Sequence, residues 1–274
     1  MSCLEELPNE VILKTFVYLN KMDLGRCARV SKRFQAISQN ELLWQRVNPN
    51  IFCQVSSKFI DYAIENGCKY LSLQGANVDG NLYLPEVTQL KYLNLSYCKA
   101  NPGVLEDLTI SCHHLEKLSI QDFKINPIFL KCLIQNGQTL RVLDLSWCTG
   151  FTIESIKLIT TYCTKLKDVN FYYTNLEPDS VKYLCNNLTS EVEKLSLGYL
   201  ESVRDDHIKD LAFRLVKTDN SRDLTFNVHS YFKLILKLKS LLRWQITYLH
   251  LGNAINMYIS SFELNIYLKI FLQV

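Results

Sequence analysis

The sequence predicts an α/β solenoid, with a curved parallel sheet inside and helices outside, preceded by three short helices at the N-terminus. Three features of its 274 residues predict this class. A short apolar pattern returns every 25 or 26 residues, a proline usually follows it at a fixed distance, and apolar residues at helical spacing come next. Each unit is therefore a strand, a turn, a helix and a return, and stacked units of this kind form a solenoid.

The strand pattern is most complete in residues 140–148, where it is L-x-x-L-x-L-x-x-C. Alternation with period two puts Leu143 and Leu145 on one face of a strand and Asp144 on the other. The same frame also starts at Leu90, Leu115, Leu166 and Val192. Unrelated apolar runs would not keep step over five units, and this period and pattern resemble leucine-rich repeats.

The second half of each unit is predicted to be a helix. Proline suits a first helical position, where the backbone N–H has no partner in any case, and asparagine just before it is a good N-cap. That place is taken by Pro102, Pro127 and Pro178, with Thr152 as the equivalent residue, and Asn101 and Asn126 precede the first two. The apolar pairs that follow at helical spacing are Leu105/Leu108, Leu130/Leu133, Ile156/Ile159 and Val181/Leu184.

Composition and charge restrict the class of protein. With 48% hydrophobic residues the chain can bury a sizeable core, and a net charge of +3 is too small to indicate a nucleic-acid partner. Residues 254–274 are apolar but contain Glu263 and Lys269, so they do not predict a membrane span. Glutamates at positions 5, 6 and 10 argue against a signal peptide.

Ten cysteines are present, but their positions favour buried thiols over a disulfide framework. Cys98 and Cys148 end strand patterns, and Cys112 and Cys163 lie three residues before a leucine that starts a unit. Free cysteine behaves as a small apolar residue at such packing positions. No C-x-x-C pair, metal-ligand set or cofactor motif occurs. We therefore expect a reducing compartment, the nucleus and/or the cytoplasm.

Residues 1–46 do not follow the repeat. Pro8 opens one predicted helix, Asp23 starts a second, and a third is predicted to run from Lys32 to Trp44. A segment of about forty residues in three short helices falls below the size that usually folds alone, so it should lean on a partner or on the solenoid. One interpretation is that these helices are only a cap for the repeats.

A second interpretation comes from the string L-P-x-E-V-I, F-x-Y-L, D-L, V-S-K-R-F and L-W, which resembles an F-box almost from end to end. The residues that carry it are Leu7, Pro8, Glu10, Val11, Ile12, Phe16, Tyr18, Leu19, Asp23, Leu24, Val30, Ser31, Lys32, Arg33, Phe34, Leu43 and Trp44. The resemblance implies binding of the small adaptor subunit of cullin–RING ubiquitin ligases through apolar helical faces. The adaptor contacts that it suggests are Leu7, Pro8, Ile12, Phe16, Leu19, Leu24 and Val30, some of which must instead hold the helices together.

The predicted domains are the F-box (1–46), a connecting helix (47–67), leucine-rich repeats (68–218) and degenerate repeats or an atypical C-terminal tail (219–274). No Gly/Ser-rich linker separates the first parts, so we expect F-box and solenoid to abut rigidly. Residues 221–226 and 246–251 can be placed in the repeat frame. From residue 224 onward Glu263 is the only acidic residue, and this shift in composition favours a tail of unrelated sequence.

The strand face turned away from the core carries the candidate substrate contacts. Its middle column, from Ser72 to Ser196, is small and polar and is predicted to satisfy itself along the ladder. Larger residues lie at the strand ends, and exposed aromatic residues are frequent at binding hot spots. Together with two lysines of an earlier column, the candidates are Tyr97, Lys117, Trp147, Tyr172, Tyr173, Lys194 and Tyr199.

No catalytic constellation is found, because the five histidines have no partner nucleophile at motif spacing and no glycine-rich phosphate loop is present. We therefore expect a non-catalytic interaction protein with no nucleic-acid or membrane partner. Residues 147–174 and 190–215 resemble the S-phase-kinase-associated F-box protein family, which implies recruitment of a phosphorylated cell-cycle regulator to a ubiquitin ligase. The alternatives are a repeat scaffold without a ligase and a truncated isoform that binds the adaptor but no substrate.

Overall fold

The computed structural model describes residues 6–49, 53–204, 206–207, 210–211, 223–226 and 245–246, and the fold is given for these. The helices are α1 (Asn9–Phe16), α2 (Lys21–Cys27), α3 (Lys32–Ser38), α4 (Glu41–Trp44), α5 (Ser57–Glu65), α6 (Pro102–Ile110), α7 (Pro127–Asn136), α8 (Ile153–Tyr162) and α9 (Pro178–Asn187). The strands are β1 (Arg46–Val47), β2 (Gln54–Ser56), β3 (Tyr70–Ser72), β4 (Asn77–Asp79), β5 (Tyr92–Asn94), β6 (Lys117–Ser119), β7 (Val142–Asp144), β8 (Asp168–Asn170), β9 (Lys194–Leu197), β10 (Asp223–Phe226) and β11 (Gln245–Ile246).

Nine of these strands form one parallel sheet, in the order β1-β3-β5-β6-β7-β8-β9-β10-β11. The middle residues of successive strands lie side by side and are fully buried, because each strand turns its central side chain into the core. They are Leu71, Leu93, Leu118, Leu143, Val169 and Leu195. The strands from β3 to β9 are those that the repeat predicts, apart from β4, which pairs with β2 in a separate two-stranded sheet. The predicted α/β solenoid is therefore confirmed.

The helices of the solenoid begin where the sequence predicts. Proline is the first residue of α6, α7 and α9, and these helices pack side by side with α8 between α7 and α9. In α8 the equivalent Thr152 is not the first helical residue but the N-cap. Its hydroxyl accepts a hydrogen bond from the Ser155 N–H, and the Ser155 hydroxyl accepts one from the Thr152 N–H. This capping box starts the helix one residue later.

The N-terminal segment contains four helices rather than three. α2, α3 and α4 each follow a polar N-cap, namely Asn20, Ser31 and Asn40, whose side chain accepts a hydrogen bond from a backbone N–H. The prediction of one helix from Lys32 to Trp44 is wrong, because Asn40 leaves the helical conformation and caps a new helix.

The F-box segment and the solenoid share one sheet. β1 follows α4 directly and pairs with β3, which places Arg46 beside Tyr70. Trp44 also packs edge-on against Tyr62 of α5, with 4.8 Å between ring centroids. The two parts therefore abut directly, and the sheet begins well before residue 68. Two residues are too few to show alternation, so no sequence pattern indicated β1.

Two further strands follow the regular units. β10 pairs with β9 over four residues, and β11 pairs with β10 over two. β10 lies within the first of the two segments that fit the repeat frame, and β11 lies at the start of the second, so degenerate repeats account for them better than unrelated sequence does. Residues 247–274, with their apolar run, lie outside the described residues. Within the described part of the chain, no helix has both the length and the apolar character to cross a membrane.

The cysteines lie where packing was predicted. Cys112, Cys148 and Cys163 are buried in the core of the solenoid, and the half-buried Cys98 packs against that core. No disulfide joins any of the cysteines in the described ranges.

Candidate functional site

The N-terminal helices form a small core that includes several of the suggested adaptor contacts. Ile12, Phe16 and Leu24 are almost completely buried, and the Phe16 ring meets the edge of Phe34, with 5.4 Å between ring centroids. A buried side chain stabilises the fold and offers no free surface to a partner. This burial corrects the assignment of these three residues as contacts.

A different set of apolar residues faces solvent on these helices and in the turns between them. Among the suggested contacts, Pro8 and Val30 are exposed, whereas Leu7 and Leu19 are half-buried. Tyr18 is 89% exposed. The exposed apolar residues that the sequence analysis did not select are Val11, Val17, Tyr18, Met22 and Leu42. Val11, Val17 and Leu42 each lie next to a core residue, and that spacing could have indicated exposure, because a short amphipathic helix buries only one stripe.

Polar contacts fix the segment that carries this exposed apolar set. Arg33 of α3 donates to the Leu7 carbonyl and, at 2.8 Å, to Asn9 Oδ1. Lys21 at the start of α2 donates to the Leu43 carbonyl, and burial lowers the pKa of its ammonium group. Hydrogen bonds therefore fix the N-terminal segment that carries the exposed apolar residues.

The second candidate surface lies where the strands end. One turn position in each unit has a left-handed backbone, with φ between 55° and 65°. The residues at this position are Gly75, Tyr97, Asp122, Trp147, Tyr173 and Tyr199. A left-handed conformation is unusual for bulky residues, and sparsely populated conformations cluster at binding sites. The repeat thus places aromatic side chains at one edge of the exposed sheet face.

Side chains of the middle column shape these turns. Asn94, Asp144 and Asn170 each accept a hydrogen bond at 2.9–3.0 Å from the backbone N–H two residues further on. Each of these turns comes just before a left-handed aromatic residue, and asparagine and aspartate favour such turns. The sequence analysis predicted only mutual pairing along the ladder. The Ser119 hydroxyl instead bonds to a side chain of the next column, the Ser96 hydroxyl, at 2.8 Å.

Four of the predicted substrate contacts form one aromatic cluster, made of Trp147, Tyr172, Tyr173 and Tyr199. Trp147 and Tyr173 stack with 4.0 Å between ring centroids, and Tyr172 meets Tyr199 edge to face at 5.2 Å. Trp147 is still 42% exposed and Tyr173 49%. Burial, followed by the neighbouring tyrosines, raises the pKa of Tyr172, so its hydroxyl stays protonated at neutral pH. The cluster is an exposed aromatic surface with hydroxyl groups.

Gly198 is needed for this arrangement and was missed by the sequence analysis. A Cβ added at Gly198 would lie 2.9 Å from Tyr172 Cδ2, closer than real contacts allow. Glycine therefore lets the Tyr172 ring lie across the neighbouring strand.

The remaining predicted substrate contacts lie apart from the aromatic cluster. Tyr97 is exposed two units earlier, with Asp122 at the intervening turn position. Lys117 and Lys194 are exposed at the first residues of β6 and β9, at the opposite ends of the strands from the aromatic residues. The structure thus brings together four of the seven candidates.

An N-terminal helical segment with exposed apolar residues, followed by a leucine-rich-repeat solenoid, is the architecture of F-box/leucine-rich-repeat proteins. Comparison with family models agrees. The model described as the SKP2 LRR domain matches residues 58–257, and the F-box-like model matches residues 4–50. The chain therefore belongs to the family with SKP2-type leucine-rich repeats and carries an F-box-like segment at its N-terminus.

Some individual relatives match most of this chain, whereas another matches only a short part of it. F-box/LRR-repeat protein 21 of Mus musculus is 22% identical over 219 residues, which are 70% of this chain and 50% of that protein. Its Bos taurus counterpart is 21% identical over 224 residues, 71% of this chain and 51% of that protein. F-box/WD repeat-containing protein 8 of Homo sapiens is 38% identical over 61 residues, 22% of this chain and 9% of that protein. The chain spans about half the length of the F-box/LRR relatives and a tenth or less of the F-box/WD relative.

Proposed function

We propose that this chain is the substrate-recognition subunit of an SCF-type ubiquitin ligase. The observation that carries the proposal is that an F-box-like segment and a leucine-rich-repeat solenoid share one sheet. A surface for the adaptor and a surface for a substrate are then held in a fixed relation. The chain performs no chemistry itself in this proposal. It holds substrate lysines near the charged conjugating enzyme of the ligase, which raises their effective concentration.

The adaptor, and through it the cullin–RING ligase, is proposed to bind the exposed apolar residues that lie on the first two helices and in the turns beside them. Isolated exposed apolar residues are common, but several on one short segment are typical of a protein interface. Pro8 and Val30 remain from the contacts suggested by the resemblance. Tyr18 and Met22 are the most exposed additions.

The substrate is proposed to bind the aromatic cluster. Tryptophan and tyrosine are enriched at interface hot spots because they bury a large area with few rotatable bonds. The family resemblance supports a phosphorylated cell-cycle regulator as the substrate. The position of several cysteines at buried packing sites of the repeat supports a place of action in the nucleus and/or the cytoplasm.

The test has two arms on the affinity-tagged chain in human cells. Tyr18→Asp combined with Met22→Asp should reduce co-purified adaptor and cullin at least about tenfold, because charge buried in an apolar interface is costly. Trp147→Ala combined with Tyr173→Ala should leave adaptor and cullin unchanged. The Trp147/Tyr173 double variant should also fail to co-purify the proteins that accumulate on the wild-type chain when the proteasome is inhibited.

The matched control for the first arm is Tyr83→Asp, since Tyr83 is also largely exposed but lies outside the F-box segment. It should co-purify adaptor and cullin like the wild type. If the Tyr18/Met22 double variant also retains them at that level, the proposed adaptor surface is wrong.

One observation favours a second function. Trp44 and β1 cover the first regular strand of the solenoid, so the F-box helices also act as its N-terminal cap. A scaffold without a ligase would therefore fold in the same way. In the pull-down, it would bring down neither adaptor nor cullin. A truncated competitor would bring down the adaptor but no substrate.

A further inference from the structure

A carboxylate interrupts the row of aromatic residues at the turns that end the strands. Along the sheet, this row of left-handed positions runs Gly75, Tyr97, Asp122, Trp147, Tyr173 and Tyr199. Backbone hydrogen bonds hold neighbouring positions side by side. The Tyr97 N–H donates to the Gln121 carbonyl at 3.0 Å, and the Asp122 N–H donates to the Ser146 carbonyl at 3.3 Å. The small Asp122 therefore lies between two large aromatic residues.

The spacing of the strands makes this interruption a slot. Neighbouring strands lie about 4.8 Å apart, so Tyr97 and Trp147, which are two strands apart, are separated by about 10 Å. A flat group between two rings needs about 7–8 Å, because carbon atoms in contact lie about 3.5–4.0 Å apart. The shorter side chain of Asp122 therefore leaves room for a flat group between the two rings. Tyr97, Asp122 and Trp147 are called the Asp122 slot below.

The ring contacts of Trp147 lie on the side away from Asp122. Trp147 stacks on Tyr173 with 4.0 Å between ring centroids and lies 6.3 Å from the Tyr172 ring centroid, and both tyrosines belong to the following unit. Among the residues that the structure describes, no aromatic ring contacts Trp147 from the Asp122 side, and none contacts Tyr97. Tyr97 is 40% exposed and Trp147 42%. Both walls of the slot are therefore accessible to a ligand.

The Asp122 slot carries negative charge. The Asp122 carboxylate is exposed and forms no ion pair within the described ranges of the chain, not even with the exposed Lys124 two residues further on. The nearby Asp144 carboxylate accepts hydrogen bonds from neutral donors only, among them the Gln121 amide at 2.7 Å. Burial, followed by the charges of Asp122 and Asp144, raises the pKa of Tyr97, so both carboxylates act on this part of the surface.

We propose that the Asp122 slot binds an arginine side chain of a partner protein. The guanidinium pairs with the Asp122 carboxylate, and its two flat faces lie against the Tyr97 and Trp147 rings. Arginine suits both contacts, because its planar fork pairs with a carboxylate through two N–H groups and also stacks on aromatic rings. Lysine offers a point charge without a flat face, and a phosphate or a carboxylate would be repelled by Asp122.

The inference deepens the proposed function, on which it rests for the partner, a substrate of the ligase. It joins Tyr97 to the aromatic cluster, since Trp147 belongs to both. The tyrosines of the cluster then bind residues of the substrate next to the arginine. A phosphate group on the same substrate lies away from this edge, because the two carboxylates repel it.

Binding is tested by fluorescence anisotropy on the purified full chain with four fluorescein-labelled libraries of nine-residue peptides. The libraries share randomised flanks and differ only in a fixed central residue: arginine, citrulline, lysine or phosphoserine. Citrulline keeps the shape of arginine but has no charge. We expect the arginine library to bind about tenfold more tightly than the citrulline library, the effect of one charge-assisted contact. Equal binding of these two libraries would overturn the proposal.

The other two libraries test the choice of ligand group. The lysine library should bind more weakly than the arginine library, and the phosphoserine library should bind most weakly. A lysine library that binds as tightly as the arginine library would overturn the choice of a guanidinium. A phosphoserine library that binds more tightly than the arginine library would overturn the choice of a cation.

Variants then locate the site. Asp122→Asn should remove the preference for arginine over citrulline, and the fold should be retained because asparagine and aspartate both tolerate a left-handed backbone. Tyr97→Leu should weaken binding of the arginine library about threefold, the effect of one cation–π contact. Asp107→Asn, which changes an exposed aspartate on α6, is the matched control and should keep the full preference. An unchanged preference in Asp122→Asn would overturn the proposal.

The same preparations are assayed for adaptor binding, which separates the two proposals. Adaptor binding without any preference for arginine would leave the proposed function intact and overturn this inference. A preference for arginine without adaptor binding would support the slot and overturn the proposed function.

Discussion

At the scale of single residues, the turns that end the strands combine an unfavourable left-handed backbone with favourable stacking of aromatic rings. A left-handed backbone costs a residue with a Cβ about 1–2 kcal/mol. Gly75 shows that glycine can fill the position, yet Trp147 and Tyr173 fill it in later units. Their stacking returns about 0.5–1.5 kcal/mol. One stack does not offset the strain of two left-handed residues, and this excess supports the proposed role of the aromatic cluster in binding.

The buried thiols lead to a prediction about reactivity. Burial raises the pKa of Cys112, Cys148 and Cys163 to about 12 and that of Cys98 to about 11. Only the thiolate reacts with alkylating reagents, and a raised pKa leaves less of it at pH 8. In the folded chain these four cysteines should be labelled at least about a hundredfold more slowly than the half-buried Cys27 and Cys53. Peptide mapping by mass spectrometry during iodoacetamide labelling measures the rates.

The same labelling in denaturant provides the control. All ten cysteines should then react without a reducing agent. Two or more cysteines that react only after reduction would contradict the expected reducing compartment.

At the scale of elements, the starts of helices were predictable because each depends on a few adjacent residues. Asn136 makes contacts that adjacent residues cannot predict. This last residue of α7 is buried, its Nδ2 donates to the Cys112 carbonyl at 2.7 Å, and its Oδ1 accepts from the Leu115 N–H at 2.8 Å. An asparagine at a helix end is usually solvated. Only the stacking of one unit on another brings Asn136 against the preceding turn, and no local pattern predicts that contact.

Two equivalent caps allow a matched test at this scale. Asn126 Oδ1 accepts a hydrogen bond from the Phe129 N–H at 2.8 Å, whereas Asn101 makes no side-chain bond to its helix. Asn126→Ala should lower the free energy of unfolding by about 1 kcal/mol, or the Tm by about 2–4 °C. Asn101→Ala should have a smaller effect. Thermal unfolding of both variants is the measurement, and equal losses would show that the cap bond contributes nothing.

At the scale of the whole molecule, periodicity predicted the solenoid from β3 to β9 but not how the F-box segment meets it. β1 is too short to carry a pattern. In the F-box segment, adjacent apolar residues such as Val11 and Ile12 differ completely in burial, because tertiary packing of short helices decides which one faces the core.

Two surface features of the solenoid differ in how far the repeat predicts them. The aromatic cluster could be predicted because three of its four residues, Trp147, Tyr173 and Tyr199, recur at one position of the repeat. An open cavity lined by Tyr70 and Tyr92 on the sheet face could not be predicted, because residues 48–49 also line it and lie outside the repeat.

The last prediction concerns the end of the solenoid. In a linear array each unit is stabilised by its neighbours, and the final unit must be covered. β10 covers β9 along four residues, whereas β11 adds only two. The fragment 1–227 should therefore unfold within a few degrees of the full chain. The fragment 1–218 should unfold many degrees lower, because it leaves the edge of β9 uncovered. Calorimetry of the three chains is the measurement, and a large drop already in 1–227 would show that residues beyond β10 form the true cap.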